Sequence, residues 1–355
     1  MTPGPKDDVR IPLDWIHTPM FNNYYHLQAA TEIHFENALS QKLRNICPGD
    51  PNAQEVMEFF QEENQKGSCH LHGEMICKPT IQVDGVDTSS GSDIYISSVP
   101  AMPSIMAYPS GCDPTMNIAY KVDFIYKAPG TNAPPPFTAS FTSTANAGAP
   151  FDITASLGGQ IYGGTLVISY SGEATGNFQF TVKGTNPPKS DITTYISSLS
   201  SSWYLIPIAR QESSLRQFTA DGTPLLDSAY GFGVFQLTNP KPTLTQIYDW
   251  KANVRRGVSF LKQCAAEAEN WIKKQENDCR ADNNGVLIPI PSYTDGKCTF
   301  STDGNQTFVD AVTIKRYNGA SKGHYVSWNN GKWQFNYLNS NGIDYVHAVC
   351  EFIGI

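Results

Sequence analysis

Ile208-Ala209-Arg210-Gln211-Glu212-Ser213-Ser214-Leu215-Arg216-Gln217-Phe218 closes an apolar run, Trp203-Tyr204-Leu205-Ile206-Pro207-Ile208. The run reads as a buried helix face. It delivers one carboxylate into a polar, serine-rich turn. A carboxyl set against apolar and aromatic groups loses hydration, and desolvation disfavours its charged form. Its pKa rises, which is what an acid–base catalyst working near neutral pH requires. A glutamate at a helix end is more often a solvated carboxylate or an ion-pair partner, so Glu212 alone decides little.

Two later stretches change that weight. Tyr230-Gly231-Phe232-Gly233-Val234-Phe235-Gln236-Leu237 is a glycine-rich strip, and Lys315-Arg316-Tyr317-Asn318-Gly319 ends a helical pattern. The order Glu-Ser, Gly-x-Gly-x-x-Gln, Tyr-Asn-Gly resembles the goose-type lysozyme and soluble lytic transglycosylase superfamily. The resemblance covers roughly residues 196–350. It implies Glu212 as the general acid and base. It implies Ser213 beside it, Gly231, Gly233 and Gln236 as the strip lining a saccharide cleft, and Tyr317 and Asn318 beside the scissile bond. The pair Tyr345-Val346 looks like the family's late tyrosine. Two features depart from the family: Phe235 stands where a methionine is usual, and the loop Thr219–Pro224 looks enlarged.

Glycosidic cleavage ordinarily uses two carboxylates. Asp221, Asp227 and Asp310 are the candidates for the second, and none is marked by position. Without one, the substrate's own groups must help, and the resemblance then implies a non-hydrolytic cut between MurNAc and GlcNAc with a 1,6-anhydro product. A hydrolytic muramidase with an Asp activating water is one alternative. A non-catalytic wall-binding or injection-apparatus protein is another.

The chain has 355 residues, which favours two domains. Its net charge is −8 with only 16% charged residues. No Lys/Arg cluster supports nucleic-acid binding, and no run approaches a membrane span. No apolar signal-peptide core follows Met1. The eight cysteines nevertheless suggest disulfides and an oxidising destination. The expectation is a secreted protein, or one delivered to a target bacterium's periplasm, where peptidoglycan glycan strands are its partner. A secretion or phage delivery partner and an inhibitor (immunity) protein belong to the same expectation.

Two helices are expected before Cys69, at 9–46 and near 53–60. Cys69-His70-Leu71-His72-Gly73-Glu74 and Cys77 offer metal-ligand types without a clear second half. Disulfide cysteines with surface histidines are the preferred reading, so no metal and no cofactor is expected. A metal-dependent amidase or peptidase using this region is the third functional class. Residues 80–190 alternate in short pieces such as Tyr120–Tyr126 and Gly164–Tyr170, which suggests a sandwich-like module. Gly158-Gly159 and Gly163-Gly164 mark turns or a bulge. The expected architecture is α+β in two parts. A helical segment (1–78) leads into a β-rich, sandwich-like module with a structural, binding or delivery role (79–189), joined at 183–189 to a mainly α, lysozyme-like domain (190–355). Helices are expected from about Ile192, across 244–275, over Phe308–Tyr317 and from Tyr345, with 277–307 as loop. Cys279–Cys298 and Cys264–Cys350 are candidate bridges; closing a loop of about twenty residues would contribute about 3 kcal/mol.

Overall fold

Strands β1 (Thr80–Val83), β2 (Val86–Asp87), β4 (Ile105–Tyr108) and β7 (Phe151–Asp152) form a small antiparallel sheet in the order β2-β1-β4-β7. A larger sheet runs β3-β9-β8-β5-β6, from β3 (Asp93–Ile96), β9 (Thr175–Gly184), β8 (Gly164–Ser171), β5 (Asn117–Tyr126) and β6 (Phe137–Asn146). This is a computed structural model, and it describes residues 77–354 except 173, 320–322, 340 and 341. The leading helices and the Cys69–Glu74 ligand types lie outside the described residues.

Period-2 alternation builds the larger sheet. On β5, Ile118, Tyr120, Val122, Phe124 and Tyr126 point inward while their neighbours face out. Leu166 and Ile168 of β8 and Phe180 and Val182 of β9 meet them in one core. Ile81, Ile105 and Ala107 of the smaller sheet join it. Gly164 adopts φ +92°, and a Cβ there would sit 2.5 Å from the Ile125 carbonyl oxygen, so only glycine permits the β5–β8 approach. Gly158 and Gly159 also have positive φ, at the turn before β8.

The later chain supplies α2 (Lys189–Leu199), α3 (Leu205–Ser213), α4 (Leu244–Tyr248), α5 (Trp250–Asp282), α6 (Phe308–Tyr317) and α7 (Tyr345–Cys350). A single-turn helix, α1 (Ile153–Ser156), precedes them within the sheet region. Capping boxes start α4 (Thr243 with Gln246) and α6 (Thr307 with Asp310), each cap contributing about 1 kcal/mol. A second core gathers Leu205, Ile208, Val234, Phe235, Val254, Leu261, Ile314 and Val346.

The region after 190 is not helical for most of its length. It also holds two hairpins, β10 (Tyr293–Asp295) with β11 (Cys298–Phe300), and β12 (Val326–Asn329) with β13 (Lys332–Phe335). Residues 277–307, expected as loop, contain the end of α5 and the first hairpin. The cysteine pairing also differs from expectation. Cys77 pairs with Cys112 and Cys298 with Cys350, while Cys264 and Cys279 are buried thiols. The register of β10–β11 and the position of α7 bring Cys298 to Cys350, and neither is visible in local sequence.

The 183–189 join is stapled rather than free. The Asn186 side chain accepts from the amides of Gln217 and Phe218 and donates to the Phe218 carbonyl. Phe218, Phe232, Leu244, Ile247 and Tyr248 are members of the sheet core. Met75–Ile355 is accordingly one compact unit.

Candidate active site

Helix α3 ends at Ser213, and Ser214 and Leu215 follow in left-handed conformation (φ 56° and 59°). Two consecutive non-glycine residues of this kind are uncommon and strained. Backbone bonds from Ser214 N to Arg210 O and from Leu215 N to Ala209 O hold the turn. The effect is a sharp stop just past Glu212, fixing the direction of its side chain.

Tyr345, on the first turn of α7, donates its hydroxyl hydrogen bond to Glu212 Oε1. Burial pushes the Glu212 carboxyl up to about 7, opposed by the Tyr345 bond and assisted by the negative charge of Asp227. Tyr317, at the end of α6, donates to the Phe235 carbonyl. Burial first, and then the Glu212 charge, hold both phenols well above their ordinary value. A carboxyl near pH 7, with two protonated phenols around it, can give a proton and take one back.

The Gly/Gln strip is a tightly wound loop. A Cβ on Gly233 (φ +72°) would lie 2.3 Å from Gln217 Oε1, and one on Gly231 would lie 2.7 Å from the Gln236 carbonyl oxygen. Gln236 adopts φ 43°, with Nε2 donating to the Gly233 carbonyl at 2.8 Å. Its Oε1 is buried with no hydrogen-bond partner among the described residues. Phe235 packs on Gly257 of α5, where a Cβ would meet its ring at 2.3 Å. That contact offsets glycine's poor helix propensity.

Ser213, expected as a substrate-binding residue, turns inward. It is buried, and its hydroxyl donates to the Val234 and Ala209 carbonyls at 2.8 and 3.1 Å. Its work is to tie the Glu212 helix to the strip. Asn318 is exposed and accepts from Asn339 Nδ2 at 2.8 Å. The structure therefore brings together Glu212, Tyr345, Tyr317 and, through Phe235 and Ser213, the strip. Asn318 stands at the edge.

The candidate second carboxylates separate clearly. Asp221 is held down to about 2 by the hydroxyls of Thr219 and Thr223 in its exposed turn. Asp310 caps α6 and accepts from Trp203 Nε1 at 3.1 Å. Asp227 is exposed, its Oδ1 accepts from the amides of Ala229 and Gly231, and its charge reaches Glu212.

Sequence reasoning missed Gln217 and Asn253, both fully buried. Gln217 accepts from Val234 N and donates to the Gln246 and Ile247 carbonyls. Asn253 accepts from Phe235 N and donates to the Phe232 carbonyl. They satisfy the strip's backbone, which would otherwise be buried without partners. The available signal was an amide inside the apolar stripe Trp250-Val254-Gly257-Val258-Leu261.

Among the described residues, one group has metal-ligand chemistry. Asp295, Asp344 and His347 bring ligand atoms within 4.8 Å of one another. Their contacts are also accounted for by hydrogen bonding: His347 Nδ1 faces Asp295 Oδ1 at 3.0 Å, and Asp344 caps α7. Compared with protein-family models, curated proteins and solved structures, the chain matches none.

Proposed function

We propose that this protein cleaves the β-1,4 bond between MurNAc and GlcNAc in peptidoglycan, with Glu212 as general acid and base. The observation that carries the reading is a glutamate raised to about 7 by burial, bonded to Tyr345 and adjoined by Tyr317. The protonated carboxyl gives its proton to the leaving GlcNAc oxygen as the C1–O bond breaks. The MurNAc acetamido oxygen closes on C1. Glu212, now ionised, takes the proton of the MurNAc C6 hydroxyl, and O6 displaces the acetamido oxygen at C1. The product is a 1,6-anhydro sugar; no water is consumed, and Glu212 returns to its acid form. Gln236, Tyr317 and Asn318 are the groups proposed to orient the glycan.

Hydrolysis is the second reading, favoured by Asp227, the one candidate carboxylate whose charge is felt at Glu212. Water attack would then replace the C6 hydroxyl. Mass spectrometry of muropeptides made in 18O-water separates the two: label in the reducing-end product overturns the anhydro reading. Clearing of purified sacculi tests the class. Glu212→Gln is expected to lose at least about a hundredfold in rate; a wild-type chain that clears nothing overturns the enzyme. A lysozyme-like fold for 190–355 and work outside the cytoplasm are parts of the same proposal. Two disulfides support such a destination.

A further inference from the structure

A cleft of about 630 Å3 lies between the start of β6 and the α4–α5 corner. None of its lining residues belongs to the Glu212 constellation. Arg255 and Arg256 line it, and no Asp or Glu does. Two adjacent arginines thus face one cleft in a chain of net charge −8. Arg255 is engaged by Tyr195 Oη at 2.8 Å and Asp249 Oδ2 at 3.6 Å. Arg256 has no hydrogen-bond or ion-pair partner among the described residues. The remaining lining is rich in amide and hydroxyl groups, among them Thr138, Gln160 and Gln246.

The wall of this cleft is the sheet's outer strand. Among the described residues β6 pairs only with β5. Guanidinium groups beside neutral amides and hydroxyls suit an acidic peptide: its carboxylates meet the guanidinium groups in charge-assisted hydrogen bonds, and the neutral groups meet its amides. We propose that this cleft binds a short acidic peptide, its carboxylates on Arg255 and Arg256. The peptide stems branching from wall glycan are its source, a choice that rests on the glycan reading.

The test is isothermal titration of full-length Glu212→Gln protein, which leaves substrate intact. The probes are GlcNAc-MurNAc-pentapeptide, the free pentapeptide, an all-L acidic peptide of equal length, and chitotetraose. Adding Arg256→Glu is expected to weaken both pentapeptide probes by about tenfold or more, the worth of a charge-assisted hydrogen bond, and to leave chitotetraose unchanged. Arg256→Gln, with an unaltered unfolding midpoint, guards against a damaged fold and is expected to lose most of the same affinity. Pentapeptide that fails to bind, or that binds the Arg256 variants equally well, overturns the site. Equal binding of the all-L peptide overturns the wall stem as its source. Arg256-dependent peptide binding by a chain that clears no sacculi would sink the glycan reading and leave the peptide site standing.

Discussion

Replacing Glu212 by Gln should stabilise the fold, and only above pH 5. The carboxyl has an ordinary value of 4.5 and is raised to about 7 in the folded chain. Between those pH values the folded state holds a proton that the unfolded state has released. Stability therefore falls as pH rises through this window and is flat on either side. The span corresponds to about 3 kcal/mol, at about 1.4 kcal/mol per pH unit. Glutamine keeps the shape of the neutral acid and does not titrate, and Tyr345 can still donate to its amide oxygen. Urea denaturation, followed by tryptophan fluorescence at intervals from pH 4 to pH 8, reads the difference. The variant should match wild type at pH 4 and exceed it by about 3 kcal/mol at pH 8. A gap that does not change with pH would refute the burial argument, and the proton-donor role with it.

Tyr345→Phe removes the donor that stabilises the ionised carboxylate, so Glu212 rises further. The alkaline limb of sacculus clearing should move to higher pH while the rate falls about tenfold or more. Gly233→Ala forces an L side chain into φ +72° against Gln217. It should cost about 1–3 kcal/mol in the backbone alone, read as a lower denaturation midpoint. Replacing Cys298 and Cys350 together by Ser opens a loop of 52 residues. The chain-entropy loss is about 4 kcal/mol, and an unchanged unfolding midpoint would contradict it.

What the sequence determined is what local periodicity and local chemistry can encode. The alternation of Tyr120–Tyr126 placed β5, and the helical pattern of Phe308–Tyr317 ended by Gly319 placed α6. The apolar run into Glu212 put a carboxyl at the end of a buried helix face, and with it the expectation of a raised pKa. Tertiary structure decided everything that joins distant segments. Tyr345 meets Glu212 across 133 positions, and no spacing rule reaches that far. Cys298 finds Cys350 because a hairpin is laid beside α7. Ser213 turns inward because Val234 offers a carbonyl, and Gln217 and Asn253 are buried because a wound glycine loop needs its backbone satisfied. Of three equivalent aspartates, only Asp227 projects its charge onto Glu212. A sequence carries hydrophobic pattern and turn chemistry along the chain, whereas desolvation and hydrogen-bond partners are properties of the space into which the chain folds.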